Sequence, residues 1–168
     1  MPKSFIVAPL RPEHVDQALP VVQALRPSMT AAEWRGMAED FVAPEVSDAS
    51  ASSGIVTCRT GGGHIRGLFC YALAADAEGR RLKIGPFIAA GLFDAHATAS
   101  GLLEAIEHLA GRLGARAVEV DATNCRVAST APRPTLEDLF LANGYRLAGR
   151  TLLKTASTPA QLRTIGSA

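Results

Sequence analysis

The stretch from Phe87 to Ala110, FIAAGLFDAHATASGLLEAIEHLA, constrains the fold of this chain most. It reads as a strand, a short crossing and a helix. The helix runs from about Ala95 to Leu113, and Gly114 stands where a helix ends best, one step past its last turn. Ala117–Ala122 then reads as a strand that follows a helix, as in a βαβ unit.

The segments before this unit supply two helices and a meander. Ser4–Pro9 is a short apolar strand, and Pro12 and Glu13 suit the first turn of a helix. Val15, Leu19, Val22 and Leu25 give that helix one apolar face, Pro20 kinks or splits it, and Pro27 ends it. Thr30 with Glu33 forms a capping box for a second helix, whose stripe is Trp34, Met37, Ala38 and Phe41 and which Pro44 stops. The small polar run 45–53 is a surface loop. Gly54–Thr60 and His64–Ala74 are strands joined by a glycine turn, and Leu82–Ala90 completes an antiparallel meander.

After the βαβ unit, Asn124–Thr135 is rich in Ser, Pro, Thr and Ala and reads as a loop. Leu136–Ala142 is a short helix closed by Asn143 and Gly144. Tyr145–Leu147 and Thr151–Lys154 are two last strand pieces around Gly149. Residues 1–155 form one domain on this reading, and 156–168 form a C-terminal tail.

At 168 residues, 48% hydrophobic and 20% charged, the chain can bury a real core. Seventeen basic and 16 acidic residues leave a net charge of +1, which gives no footprint for nucleic acid or acidic lipid. No apolar run approaches the roughly 18 residues of a membrane span. The start, MPKSFIVAPLRPEHV, is not a secretory signal, so the expected location is cytoplasmic. Cys58, Cys70 and Cys125 are widely spaced, form no metal-binding pattern and are expected to be reduced thiols.

The element order β–α–α–β–β–β–α–β–α–β resembles the GNAT N-acetyltransferases. Three patterns carry the resemblance: the Phe87–Ala110 unit, VEVDATN at Val118–Asn124, and LFLANGYRLAGRTLLKT at Leu139–Thr155 with its Gly144–Tyr145 step. It implies an α+β fold, with a mixed, mostly antiparallel sheet flanked by helices. It also implies acetyl-CoA as cosubstrate and a small-molecule or peptide amine as acceptor. A homodimer through a sheet edge or the last strand is compatible with it.

On this resemblance Ile88, Ala89 and Ala90 lie along the extended arm of the cosubstrate, which pairs with main-chain groups like an added strand. The pyrophosphate would meet the turn Asp94, Ala95, His96, Ala97, Thr98 and Ala99 at the helix N-terminus. The turn departs from the family pattern. Asp94 stands where a cation or amide is expected, and Ala97 where a glycine is. Asp94 also suits an N-cap, and a cap would occupy the place of a phosphate. Asn124 matches the family's asparagine near the cofactor. The family's acid tyrosine falls on Phe140, which cannot donate a proton and is counted among the cofactor-contacting residues. Glu119 and Asp121 share one face of their strand and are the candidate bases. Acceptor choice would lie in Arg26–Glu45 and in Asn124–Thr135. Asp94, Ala97 and Phe140 together also fit a second reading, a GNAT-like domain without catalysis that binds or regulates.

Overall fold

The structure, a computed structural model, describes residues 5–41, 52–91, 94–128 and 135–155. The expected tail at 156–168 and the stop at Pro44 lie outside the described residues, as does most of the loop at 45–53.

β1 (Phe5–Pro9) leads into two 3-10 turns, Pro12–His14 and Asp16–Ala18, and then α1 (Leu19–Leu25). The helix expected from Pro12 is split, one of the two outcomes expected at Pro20, and its first part is two 3-10 turns rather than α-helix. Pro20 lies in the first turn of α1, where its missing N–H deprives no carbonyl of a partner, so it opens this helix rather than kinking a longer one. α2 (Ala31–Glu39) starts as the sequence predicts. The Thr30 Oγ1 accepts from the Glu33 N–H at 3.2 Å, and the Thr30 N–H donates to Glu33 Oε2 at 2.8 Å.

β2 (Ser53–Thr60), β3 (Ile65–Asp76) and β4 (Gly79–Ala90) form the antiparallel meander. α3 (Ala95–Arg112) crosses over to β5 (Ala117–Asp121), which pairs parallel with β4. α4 (Leu136–Ala142), β7 (Arg146–Ala148) and β8 (Thr151–Thr155) close the chain, and β8 lies antiparallel to β5. The strand order is β1-β2-β3-β4-β5-β8-β7.

A further short strand was not expected. Asn124–Thr135 reads as a loop in the sequence, yet Ala122–Asn124 makes a 3-10 turn and Cys125–Ala128 forms β6, parallel to β4. The cause is tertiary. Cys125 and Val127, two apart, both pack against the core beside α3, and the edge of β4 offers them a partner.

Side chains alternate across the sheet and build two cores. On one side Phe69, Phe87, Leu102, Ile106, Phe140 and Leu152 pack with α3 and α4. On the other, Val22, Trp34, Ile55, Leu68 and Ile88 pack with α1 and α2. Trp34 belongs wholly to this second core, and its Nε1–H donates to the Val15 carbonyl at 2.7 Å.

Candidate functional site

One edge of β4 carries two partners in succession. Arg81–Ile84 pairs with Ala117–Val120 of β5, and Phe87–Ala90 pairs with Cys125–Ala128 of β6. Between them lie Gly85 and Pro86, joined by a cis peptide bond. At this fork β4 advances by three residues while the β5–β6 side advances by five, so the chain bulges out through Ala122–Asn124.

The fork brings Asp121 and Asn124, at the two ends of one turn, together with Arg26 from the end of α1. A Cβ on Gly85 would stand 3.6 Å from Asn124 Nδ2 and 3.9 Å from Asp121 Cβ. The Arg26 Nη2 donates to Asn124 Oδ1 at 3.4 Å. Asp121 Oδ1 accepts from the Thr123 N–H at 3.0 Å and the Thr123 hydroxyl at 2.6 Å, which fixes the turn. The Cys125 thiol donates to the Asp121 carbonyl at 3.1 Å. Burial, with the Asp121 charge as a lesser cause, pushes that thiol up to about 12.

Glu119 does not join this group. It accepts from Arg81 Nη1 at 2.8 Å, and the same guanidinium also meets Asp76 at 3.1 Å and Glu78 at 2.7 Å. Those partners lie at the β3–β4 turn, away from the fork. The two candidate bases are therefore placed differently: they share a strand, but Glu119 is held by Arg81, and the Asp121 Cβ is the one that lies beside Gly85. Sequence reading could not see this, because Arg81 lies 38 positions from Glu119.

Phe140, expected among the ligand contacts, is placed in the core. It is fully buried, edge-on to Phe87 at 5.2 Å and to Tyr145 at 4.9 Å between ring centres. Tyr145 is buried beside it, as its place after Gly144 predicts.

Ile88 and Ala89 are buried, and the Phe87–Ala90 edge that an extended ligand would use is taken by β6. With β6 in place, these residues do not fit the arm of an acyl donor. At the start of α3, Asp94 holds the N-cap position with φ −132° and makes no side-chain cap hydrogen bond. Its carboxylate leans over Gly91, where a Cβ would overlap it. Ala95, Thr98 and Ala99 turn their side chains into the core, so only their main chain could meet a ligand. His96 is half-buried and Ala97 exposed.

Two other features lie elsewhere. A cleft of about 290 Å³ opens between Pro12–Asp16 and Arg35–Glu39, and its lining shares no residue with the fork. Among the described residues no cluster of His, Cys, Asp and Glu could hold a metal ion, and no helix is long and apolar enough to cross a membrane.

Comparison with known proteins agrees with this architecture. No family model and no curated protein matches the sequence. Solved structures do match. A GCN5-related N-acetyltransferase from Kribbella flavida superposes with a TM-score of 0.68 at 16% identity, covering 93% of this chain and 100% of that one. A GNAT family acetyltransferase from Brucella melitensis, solved with acetyl-CoA, gives 0.58 at 14% identity, covering 92% and 90%. A glucosamine N-acetyltransferase region of a fungal multi-domain β-N-acetylglucosaminidase gives 0.60 at 15% identity. It covers 89% of this chain, which spans only 18% of that protein. The chain has the GNAT fold: a mixed, mostly antiparallel sheet with helices on both faces.

Proposed function

We propose that this chain is an acetyl-CoA-dependent N-acetyltransferase acting on an amine of a small molecule or peptide. The observation that carries the reading is the fork itself. β4 parts from β5 at Gly85 and runs on to Ala90, just before α3 begins at Ala95. That arrangement sets a four-residue backbone edge, covered by β6 in this structure, next to a helix N-terminus, the two elements that would hold an amide-bearing arm and a diphosphate once the edge is open. Two of the matched structures support the chemistry: one was solved with acetyl-CoA, and another is described as a glucosamine N-acetyltransferase region.

Within this reading Asp121 is the base, since it is the acidic residue whose Cβ lies beside Gly85. It would take a proton from the acceptor amine. Arg26 and Asn124 line the same mouth and would orient the acceptor.

A second reading, a GNAT-like binding or regulatory module without catalysis, is favoured by one observation: β6 covers the Phe87–Ala90 edge. The test separates the two. Wild type and Asp94→Ala are titrated with acetyl-CoA by calorimetry or thermal shift, then screened with amines for thiol release. Binding raises the melting temperature by mass action. Saturable binding, unchanged or stronger in Asp94→Ala, followed by thiol release supports the enzyme. Binding without thiol release for any amine points to the silent module. No binding at millimolar ligand sinks the acyltransferase reading.

A further inference from the structure

β6 is held far less firmly than the strand it follows. β5 pairs on both edges, with β4 and β8, and buries Ala117, Val118 and Val120. β6 is off the continuous path of the sheet and, among the described residues, pairs with β4 alone. None of its four residues is fully buried, and Arg126 is exposed. It is anchored by four register pairs, from Phe87↔Cys125 to Ala90↔Ala128, by the partial burial of Cys125 and Val127, and by neighbouring parts of α1, α3 and α4. The edge beneath it belongs to residues that are themselves rigidly placed. Phe87, Ile88 and Ala89 are fully buried and paired to β3 on their other side.

We propose that β6 is a releasable strand of the chain itself, which competes with the extended, amide-bearing arm of the acyl donor for the Phe87–Ala90 edge. The proposal rests on the acyltransferase reading and adds regulation to its site. The physical basis is that both competitors need the same main-chain N–H and C=O groups, and only one can hold them. A tethered strand competes at high effective concentration, so it need not pair tightly to keep the edge covered. Ligand affinity is then lowered by the fraction of molecules in which the edge is open. When β6 leaves, Cys125 goes with it, losing its bond to the Asp121 carbonyl and its partial burial.

That makes Cys125 a reporter independent of turnover. The other two cysteines, Cys58 and Cys70, are fully buried and give a low background. Wild type is treated with iodoacetamide with and without acetyl-CoA, and Cys125 modification is followed by peptide mass spectrometry. The same is done for Val127→Ser, which weakens the side-chain anchor, and Arg126→Pro, which disturbs the strand's main chain. Melting curves confirm that each variant folds, and the wild-type arm needs neither.

The expected result is that acetyl-CoA speeds Cys125 modification in the wild type. Both variants label faster without ligand, and they bind acetyl-CoA about tenfold more tightly, as removal of a roughly nine-in-ten closed population requires. Binding with Cys125 labelling unchanged or slowed overturns the proposal and leaves the acyltransferase reading standing. Variants that bind no more tightly than wild type also overturn it. No binding by any of the three proteins sinks both.

Discussion

Thr98 and Gly67 meet where α3 crosses β3, with no room between them for another carbon. A Cβ on Gly67 would stand 2.7 Å from Thr98 Cγ2, 2.8 Å from the Ile88 carbonyl oxygen and 2.8 Å from Leu102 Cδ1. Two of these neighbours are in buried side chains of the helix and the third is strand backbone, so none can move aside freely. Gly67→Ala is therefore expected to destabilise the protein by about 1–3 kcal/mol, the range for overpacking a filled core. Urea denaturation measures it, and a change below about 0.5 kcal/mol would mean that α3 can lift off the sheet.

The hydroxyl of the same threonine is buried without a hydrogen-bond partner. Thr98→Val keeps the shape and removes the unsatisfied group. It should stabilise the fold by about 1 kcal/mol, seen as a higher urea midpoint with unchanged slope. A loss of stability would show that the hydroxyl has found a partner in solution.

Gly36 in α2 and Gly111 in α3 have open space where a Cβ would go, and neither has a positive φ. Alanine at either position should add about 0.5–1 kcal/mol by reducing the freedom of the unfolded chain. The two sites are on different helices, so the double variant should show the sum in thermal and urea unfolding.

Burial pushes the Cys58 thiol up to about 11 and the Cys70 thiol up to about 12, from an ordinary value of 9.0. The unfolded chain thus releases these protons first as pH rises. The stabilisation from keeping them neutral is complete below pH 9 and is lost as pH climbs toward the folded values. Urea midpoints should fall between pH 8.5 and pH 10.5, and Cys70→Ala should fall less steeply than wild type. Equal slopes would remove Cys70 from the account.

The two carboxylates of β5 should separate in a kinetic assay. Asp121→Asn should lower turnover about 100-fold if Asp121 takes the amine proton. Glu119→Gln should change turnover by less than about threefold, because Glu119 is bound to Arg81 away from the fork. The reverse order would move the base to Glu119.

What the sequence made legible was local. The Thr30–Glu33 capping box needs residues three apart, and Gly114 needs only its own backbone, which adopts φ +64°. The GNAT topology was also readable, because each element carries its own period and its own stop signals. What escaped was made by distant partners. β6 exists because β4 has an edge to offer, and the alternation of Cys125, Arg126 and Val127 is too short to mark a strand by itself. The ion pair that holds Glu119 comes from Arg81, near the β3–β4 turn and far off in the chain. Phe140 sat at a functional position by counting, yet its ring closes a stack between Phe87 and Tyr145.

The two cores divide the labour of adjacent residues. Leu68 and Phe69 are chain neighbours, as are Phe87 and Ile88, yet in each pair one side chain answers to α3 and the other to α1 and α2. A substitution that reshapes the α1–α2 layer should reach the packing under α3 only through the shared backbone of β3 and β4. The layer that carries Arg26 is thus freer to diverge between related chains without disturbing the helix that begins at Ala95. Variation in acceptor choice and constancy of scaffold would then be properties of opposite sides of the same sheet.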